Sequence, residues 1–299
     1  MNFRKAALLL FSGLGLASVA NYSAQVGTLR KRKGIFQEKP FWVIAHRGFS
    51  GKFPENTMLA FEQAAALPID AIELDVHSTR DGKVVVIHDP TLDRTTDRVG
   101  RVLDFSWDEL KKIDAGYSFD PEKKQLYPFR GRGIGIPQLE DVFQRFPNMK
   151  FVVEIKQTLP AIEELVYGLI RKYQMQENVI VASEHYEPLA RFRNLDPGIA
   201  TNLASIEAME FYRLFRFHVS SFYKAHGDAL QIPPKYGDVQ IVTRSFVQAC
   251  RRKGFILHIW TVNDPAEMAR LMDCGVDGII SDFPDRLLEV YGNRSAKVR

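Results

Sequence analysis

Four short apolar runs in this chain end in residues that can do chemistry. FWVIAHRG ends in His46 and Arg47, IDAIELDVH carries Glu73 and Asp75, KVVVIHD ends in His88, and MKFVVEIK ends in Glu154 and Lys156. Each run is apolar for several residues and then turns polar. The C-terminal ends of parallel strands are where an α/β barrel builds its active site, so these groups are placed to converge. Glu73 and Asp75 are two apart on a strand and share a face, while Leu74 between them faces the covering helices. Two carboxylates aimed into a barrel repel each other and lose hydration unless a cation neutralises them. With Glu154 as a third ligand and no cysteine nearby, the set suits a hard divalent cation, Mg²⁺ or Ca²⁺, completed by water and phosphate oxygens. The bland alternative is a salt-bridge cluster with Arg47 and Lys156.

His46 and His88 have an ordinary pKa of about 6.5, which suits proton transfer near neutrality. A lone histidine at a strand end is more often structural, and ligation by the pair would point to zinc-like chemistry instead. Arg47 offers a guanidinium fork and Lys156 an ammonium, the groups that stabilise charge on phosphate oxygens. Pairing with a neighbouring carboxylate is the plainer role for each. Acid/base groups, a hard-cation site and an anion clamp together indicate phosphate-ester chemistry.

Alternating elements must position these residues. Strand-like runs fall at 42–45, 70–76, 84–88, 150–155, 178–182, 198–203, 228–232, 255–261 and 277–281, with helical segments at 57–67, 139–146, 160–173, 244–253 and 265–274. The first helix follows Asn56, a good N-cap type, and Asp264 followed by Pro265 starts another. Strands alternating with helices predict a parallel sheet with helices outside. Nine runs exceed eight barrel places, so at least one of the later runs is expected to lie off the barrel. A long connection covers 89–136 and contains SWDELKKID. Residues 205–226 interleave aromatic and basic side chains, which reads as a barrel helix packing its apolar face or as an amphipathic element touching lipid.

The chain resembles the glycerophosphodiester phosphodiesterase family. The resemblance rests on HRG at 46–48, PENT at 54–57, ELD at 73–75, HD at 88–89, LDRTTD at 92–97, IPQLEDVF at 136–143, EIK at 154–156, WTVND at 260–264 and GVDGIISDFPD at 275–285. These occur in the family's order over about residues 42 to 290. The resemblance implies a TIM-like (β/α)8 barrel with an insertion after the third strand. It implies hydrolysis of a glycerophosphodiester to an alcohol and sn-glycerol 3-phosphate, or, as the rival, the same site acting on a lysophospholipid as a lysophospholipase D. It places a metal on Glu73, Asp75 and Glu154 and makes His46 and His88 the acid/base pair; which of the two is the acid does not follow from the sequence, and that role is assigned to His46. Arg47 and Lys156 are expected to clamp the phosphate. It implies that the nucleophile is the glycerol hydroxyl beside the phosphate, through a cyclic phosphate that water opens. Trp260 becomes a wall for the glycerol, where core packing is its ordinary role. Glu55 is expected to buttress the HRG backbone or the following helix, Asp282 to be structural, and Asn263 and Asp264 to cap or turn.

The bulk numbers fit one such barrel plus an extension. The chain has 299 residues, 45% hydrophobic and 25% charged, with a formal net charge of +4. That mild excess does not call for nucleic acid. The run Arg30-Lys31-Arg32-Lys33 reads as a solvated segment or a contact for anionic lipid. Cys250 and Cys274 have no metal-ligand spacing and read as small buried hydrophobes, with a disulfide between neighbouring helices left open. At the N-terminus a basic MNFRK precedes the apolar AALLLFSGLGLASVA and a small-residue site at Ser18-Val19-Ala20. The expected division is a signal peptide or membrane anchor over 1–24, a basic linker over 25–40, the barrel over 41–292 and a tail over 293–299. The expected location is exported or membrane-anchored. The expected partners are a small glycerophosphodiester and a peripheral membrane contact. The oligomeric state is not legible.

Overall fold

The structure is a computed structural model that describes residues 33–36 and 39–297. The export or anchor segment lies outside the described residues. Among the described residues, no helix is long and apolar enough to cross a membrane.

The strands in chain order are β1 (Trp42–His46), β2 (Ala71–Ser78), β3 (Val84–Val86), β4 (Lys150–Ile155), β5 (Val179–Ala182), β6 (Ala200–Thr201), β7 (Ala229–Ile232), β8 (Lys235–Tyr236), β9 (Val239–Gln240), β10 (Ile256–Ile259) and β11 (Gly278–Ser281). Eight of them form one parallel sheet in the order β6-β5-β4-β2-β1-β11-β10-β7. The two ends meet through a parallel bridge between Asn202 and Ala229, with Leu203 N donating to the Ala229 carbonyl at 2.8 Å. The chain is therefore a TIM-like (β/α)8 barrel.

The surplus strand is an early one, contrary to the expectation that it lies late. β3 pairs antiparallel with β2, with Val76 opposite Val86 and Ser78 opposite Val84. All three of its valines are buried. A short run buried on both faces looks the same in sequence whether it joins the barrel or caps it. The long connection over 89–136 follows this third strand and carries its own small core of Leu92, Val102, Leu110 and Ile113.

The helices are α1 (Met58–Ala65), α2 (Trp107–Leu110), α3 (Leu139–Arg145), α4 (Glu163–Lys172), α5 (Tyr186–Leu195), α6 (Ser205–Arg216), α7 (Arg244–Arg252), α8 (Pro265–Cys274) and α9 (Pro284–Lys297). The last runs on into the stretch read as a tail. Asp264 caps α8 as expected, accepting from Ala266 N, and Gly275 at φ 85° ends that helix. Segment 205–216 is a barrel helix whose Phe211 is fully buried against Phe246 and Phe255. Cys250 on α7 is buried, and both it and Cys274 on α8 are free thiols.

Strand alternation sorts the side chains into two layers. Val43, Leu74, Val153, Leu257 and Ile279 face the helices, in two apolar clusters built with Phe61, Phe143, Phe151, Phe211 and Phe246. Trp42, Ile44, Ala71, Val152, Ile180, Ala229, Ile256 and Ile280 face inward and fill the barrel. Ile35 and Phe36, from the stretch read as a linker, join that inner layer. Lys33, the last of the basic run, is ion-paired with Asp228 at 2.9 Å rather than solvated. Phe151 is fully buried, with its ring 5.6 Å from that of Phe143. Phe151→Ala is expected to lower unfolding free energy by about 3–5 kcal/mol, read as a shifted denaturant midpoint at unchanged slope.

Candidate active site

The inward alternation that fills the barrel below delivers polar groups above. On β1 the series Trp42, Ile44 ends in His46. On β2 Ala71 is followed by Glu73 and Asp75, and on β4 Val152 is followed by Glu154 and then Lys156. Register sets His46 beside Glu73 and Asp75 beside Glu154 on adjacent strands. Ligand oxygens of Glu73, Asp75 and Glu154 lie within 4.8 Å of one another. His46, Arg47, Glu73, His88, Glu154, Lys156 and Trp260 all border one cavity of about 670 Å³. Asp75, about 1% exposed, lies beneath it. Every residue singled out from the sequence is thus in one place.

The HRG and PENT motifs have local reasons. Arg47 is in the left-handed region at φ 53° and Gly48 follows at φ 80°. A Cβ on Gly48 would stand 2.7 Å from the backbone carbon of Ala60, so only glycine lets the loop lie against α1. The turn presents Arg47 N to Glu73 Oε2 at 3.0 Å. Glu55 accepts from the Arg47 guanidinium at 2.9 Å. Thr57, not Asn56, caps α1 by accepting from Ala60 N. Asn56 takes a left-handed φ of 56° and donates from Nδ2 to Asp75 Oδ2 at 2.8 Å. A side chain that could have served the helix instead holds a buried carboxylate.

Both imidazoles are anchored through Nδ1. His46 Nδ1 is 2.6 Å from Asp282 Oδ1, and His88 Nδ1 is 2.6 Å from Asp89 Oδ1. Each Nε2 is left to act, and His46 Nε2 lies 3.9 Å from Glu73. Asp282 is itself held by Asn263 Nδ2 at 2.6 Å and Ser50 Oγ at 2.9 Å. Asp89 is held by Arg94, whose guanidinium also makes two hydrogen bonds to Glu55. One network therefore runs from His88 through Asp89, Arg94 and Glu55 to Arg47. Asp282, Asn263, Asn56, Asp89 and Arg94 were not read as site residues in the sequence. Asp282 follows β11, so the strand-end signal that marked the others was present there too.

Electrostatics follow from burial and charge. Desolvation, then the Asp75 charge, pushes Glu73 up to about 8. Desolvation likewise raises Glu154 to about 7, against the pull of Lys156. Asp75 is held below its ordinary value because Arg47 and Lys156 outweigh its burial. Burial opposes the charged form of His46, yet the Asp282 hydrogen bond and the Glu73 charge raise its pKa above the ordinary value. Asp89 is drawn down to about 2, the bonds from Arg94 and His88 overcoming its desolvation.

The trio fits a hard dication. Lys156 Nζ sits 2.8 Å from Glu154 Oε1 and 3.4 Å from Asp75 Oδ1, and Arg47 Nε sits 3.1 Å from Asp75 Oδ2. The salt-bridge cluster read as an alternative is therefore formed. It satisfies the site only in part, because Asp75 Oδ1 is buried with the Lys156 ammonium at 3.4 Å as an ion-pair contact but accepts no hydrogen bond. An unsatisfied carboxylate oxygen among three carboxylates is the donor set of Mg²⁺ or Ca²⁺, with no nitrogen or sulfur ligand among the three.

The cavity has a second, apolar half. Ala208, Met209 and Tyr212 of α6 line it together with Ile232, Trp260 and the β8–β9 hairpin. That hairpin turns at Gly237-Asp238, with Gly237 at φ 55°. Gly-Asp between two short runs was a readable hairpin signal, and it was missed. Trp260 continues the inward series Ile256, His258 on β10, which accounts for its place at the cavity, packed on the inner core.

Asp282→Asn keeps the shape but removes the carboxylate charge and turns one of its two acceptor oxygens into a donor, so the His46 tautomer is no longer fixed. It is expected to lower kcat by about 10²-fold or more and to move the alkaline limb of the pH profile downward, since the carboxylate that raises the His46 pKa is gone. A purely structural Asp282 would leave the profile in place.

Residues 46–286 match the glycerophosphoryl diester phosphodiesterase family. A glycerophosphodiester phosphodiesterase of Bacillus altitudinis is 35% identical over 254 residues, covering 83% of this chain and 97% of the relative. A Homo sapiens lysophospholipase D is 26% identical over 278 residues, covering 85% of this chain and 87% of its own. An Oleispira antarctica phosphodiesterase, solved with the product sn-glycerol-3-phosphate, superposes with a TM-score of 0.63 at 27% identity over 83% of this chain and 96% of that one. The chain belongs to the glycerophosphoryl diester phosphodiesterase family.

Proposed function

We propose that this enzyme hydrolyses glycerophosphodiesters to an alcohol and sn-glycerol 3-phosphate, with His46 and His88 as the acid/base pair and a dication on Glu73, Asp75 and Glu154. The observation that carries this reading is the pair of Nδ1-anchored imidazoles bordering the same cavity as Glu73 and Glu154, which cluster with a buried Asp75 whose Oδ1 accepts no hydrogen bond. A bound Mg²⁺ or Ca²⁺ supplies Lewis-acid stabilisation of phosphate oxygens and lowers the pKa of a nearby hydroxyl. Arg47 and Lys156 bring positive charge to the phosphate, and Trp260 walls the glycerol. One imidazole takes the proton of the glycerol hydroxyl adjacent to the phosphate. That oxygen bonds to phosphorus as the bond to the departing alcohol breaks, and the other imidazole protonates the alcohol. Water then opens the cyclic phosphate with the two roles exchanged. The raised pKa of His46 keeps it protonated further into the neutral range, which favours it as the acid of the first step.

The apolar half of the cavity supports a second reading, a lysophospholipase D with an acyl chain lying between α6 and the β8–β9 hairpin. Glycerophosphocholine and lysophosphatidylcholine, assayed for choline release under the same conditions, separate the two. Faster turnover per concentration of glycerophosphocholine, with sn-glycerol 3-phosphate as co-product, is the expected result. A higher kcat/KM for the acylated substrate overturns the first reading in favour of the second.

A further inference from the structure

Twelve large apolar side chains are exposed among the described residues. All but Phe217 and Phe222 belong to connections leaving the C-terminal ends of the barrel strands, or to the opening turns of the helices that follow. Scattered single apolar residues need no explanation, but confinement to one end does. That end holds the cavity mouth. Leu126, Leu159 and Ile206 are 67, 78 and 66% exposed and do not border the cavity, so substrate contact does not account for them.

The tip of the insertion is built to hold an apolar residue outward. Leu126 is flanked in sequence by Lys123, Lys124, Arg130 and Arg132, all exposed, with Glu122 the one acid in 121–133. Lys123, Gln125 and Tyr127 take left-handed φ values of 54°, 59° and 42°. The Asp120 carboxylate fixes the turn by accepting from Lys124 N at 3.2 Å and Gln125 N at 2.7 Å. The Arg130 guanidinium clamps it from below, 4.0 Å from the Tyr117 ring and 3.8 Å from that of Tyr127. Three non-glycine residues in that region of backbone space are strain, and here the strain presents a leucine to solvent. The β8–β9 hairpin repeats the pattern on another connection, with Tyr236 79% exposed beside Lys235.

We propose that the mouth end of the barrel docks on an anionic lipid bilayer, with Leu126, Ile206 and Tyr236 entering the head-group layer and Lys123, Arg132 and Lys235 meeting anionic head groups. Separate apolar tips suit a fluid interface, which conforms to them, and the cations beside Leu126 and Tyr236 select an anionic one. This docking opens the cavity toward the lipid and does not depend on which diester the site cleaves.

Tryptophan placed at two exposed sites of the full-length chain tests it. Leu126→Trp and Phe217→Trp are mixed with phosphatidylcholine vesicles containing phosphatidylglycerol, with and without brominated acyl chains. The fluorescence added by Leu126→Trp should shift to the blue and be quenched, and that added by Phe217→Trp should not. Adding Lys123→Ser and Arg132→Ser, or removing phosphatidylglycerol, should weaken binding by about tenfold. Leu126→Trp should hydrolyse glycerophosphocholine in solution at the parent rate, which also shows that the variant folds and reports on hydrolysis separately from docking. Quenching no greater at 126 than at 217, or quenching indifferent to lipid charge, overturns the proposal.

Discussion

His46→Ala and His88→Ala are each expected to lower kcat by ~10²–10⁴, with thermal unfolding little changed. Each ring borders the cavity, and each is fixed by a carboxylate on Nδ1, so truncation removes the proton-transferring atom without opening the core. The two variants should differ on one class of substrate. A nitrophenol leaving group departs without a proton, so the variant lacking the acid is largely rescued on a glycerophospho-nitrophenyl diester. On the assignment favoured by the raised His46 pKa, that variant is His46→Ala, and His88→Ala stays impaired. Full kcat in either variant on glycerophosphocholine removes that residue from the mechanism. Rescue of His88→Ala alone exchanges the roles.

Glu73→Gln carries the second large effect, and its signs oppose each other. Activity should fall by at least ~10²-fold because one charged ligand of the dication is lost. Stability of the metal-free protein should hold or rise. Burial and the Asp75 charge raise Glu73 to about 8, so the folded protein binds a proton that the unfolded chain has lost. That contribution is full below the ordinary glutamate value and disappears as pH rises through about 8. The glutamine does not titrate and flattens this decline. Mg²⁺ at about 100 times its Kd should stabilise the parent by about 2.7 kcal/mol and the variant far less. Scanning calorimetry across pH, with and without metal, reads the stability changes, and glycerophosphocholine turnover reads the activity. Equal stabilisation of both proteins by Mg²⁺ would place the ion elsewhere.

Strand periodicity made much of this site legible in the sequence; Arg47, on a turn, and His88, after the antiparallel β3, were legible only as the polar ends of apolar runs. His46, Glu73, Asp75, Glu154, Lys156 and Trp260 share an inward face because their spacing along each strand is two, and register does the rest. Asp282 obeyed the same rule but follows a strand that also closes the barrel, and a structural role looked sufficient. The link from His88 through Asp89, Arg94 and Glu55 to Arg47 was out of reach. It joins residues on two connections whose approach depends on the folded insertion, and no local spacing encodes that. β3 was misjudged because three buried valines carry no mark of direction or partner. Asn56 and Thr57 are both good capping types, and only the contact with Asp75 shows why the second takes the cap.

We propose that diester cleavage needs a divalent cation held by Glu73, Asp75 and Glu154. Release of sn-glycerol 3-phosphate from glycerophosphocholine by the EDTA-stripped, dialysed enzyme tests it most directly. Negligible turnover, restored in proportion to added Mg²⁺ or Ca²⁺, is the expected result. An unchanged rate in the stripped enzyme contradicts it.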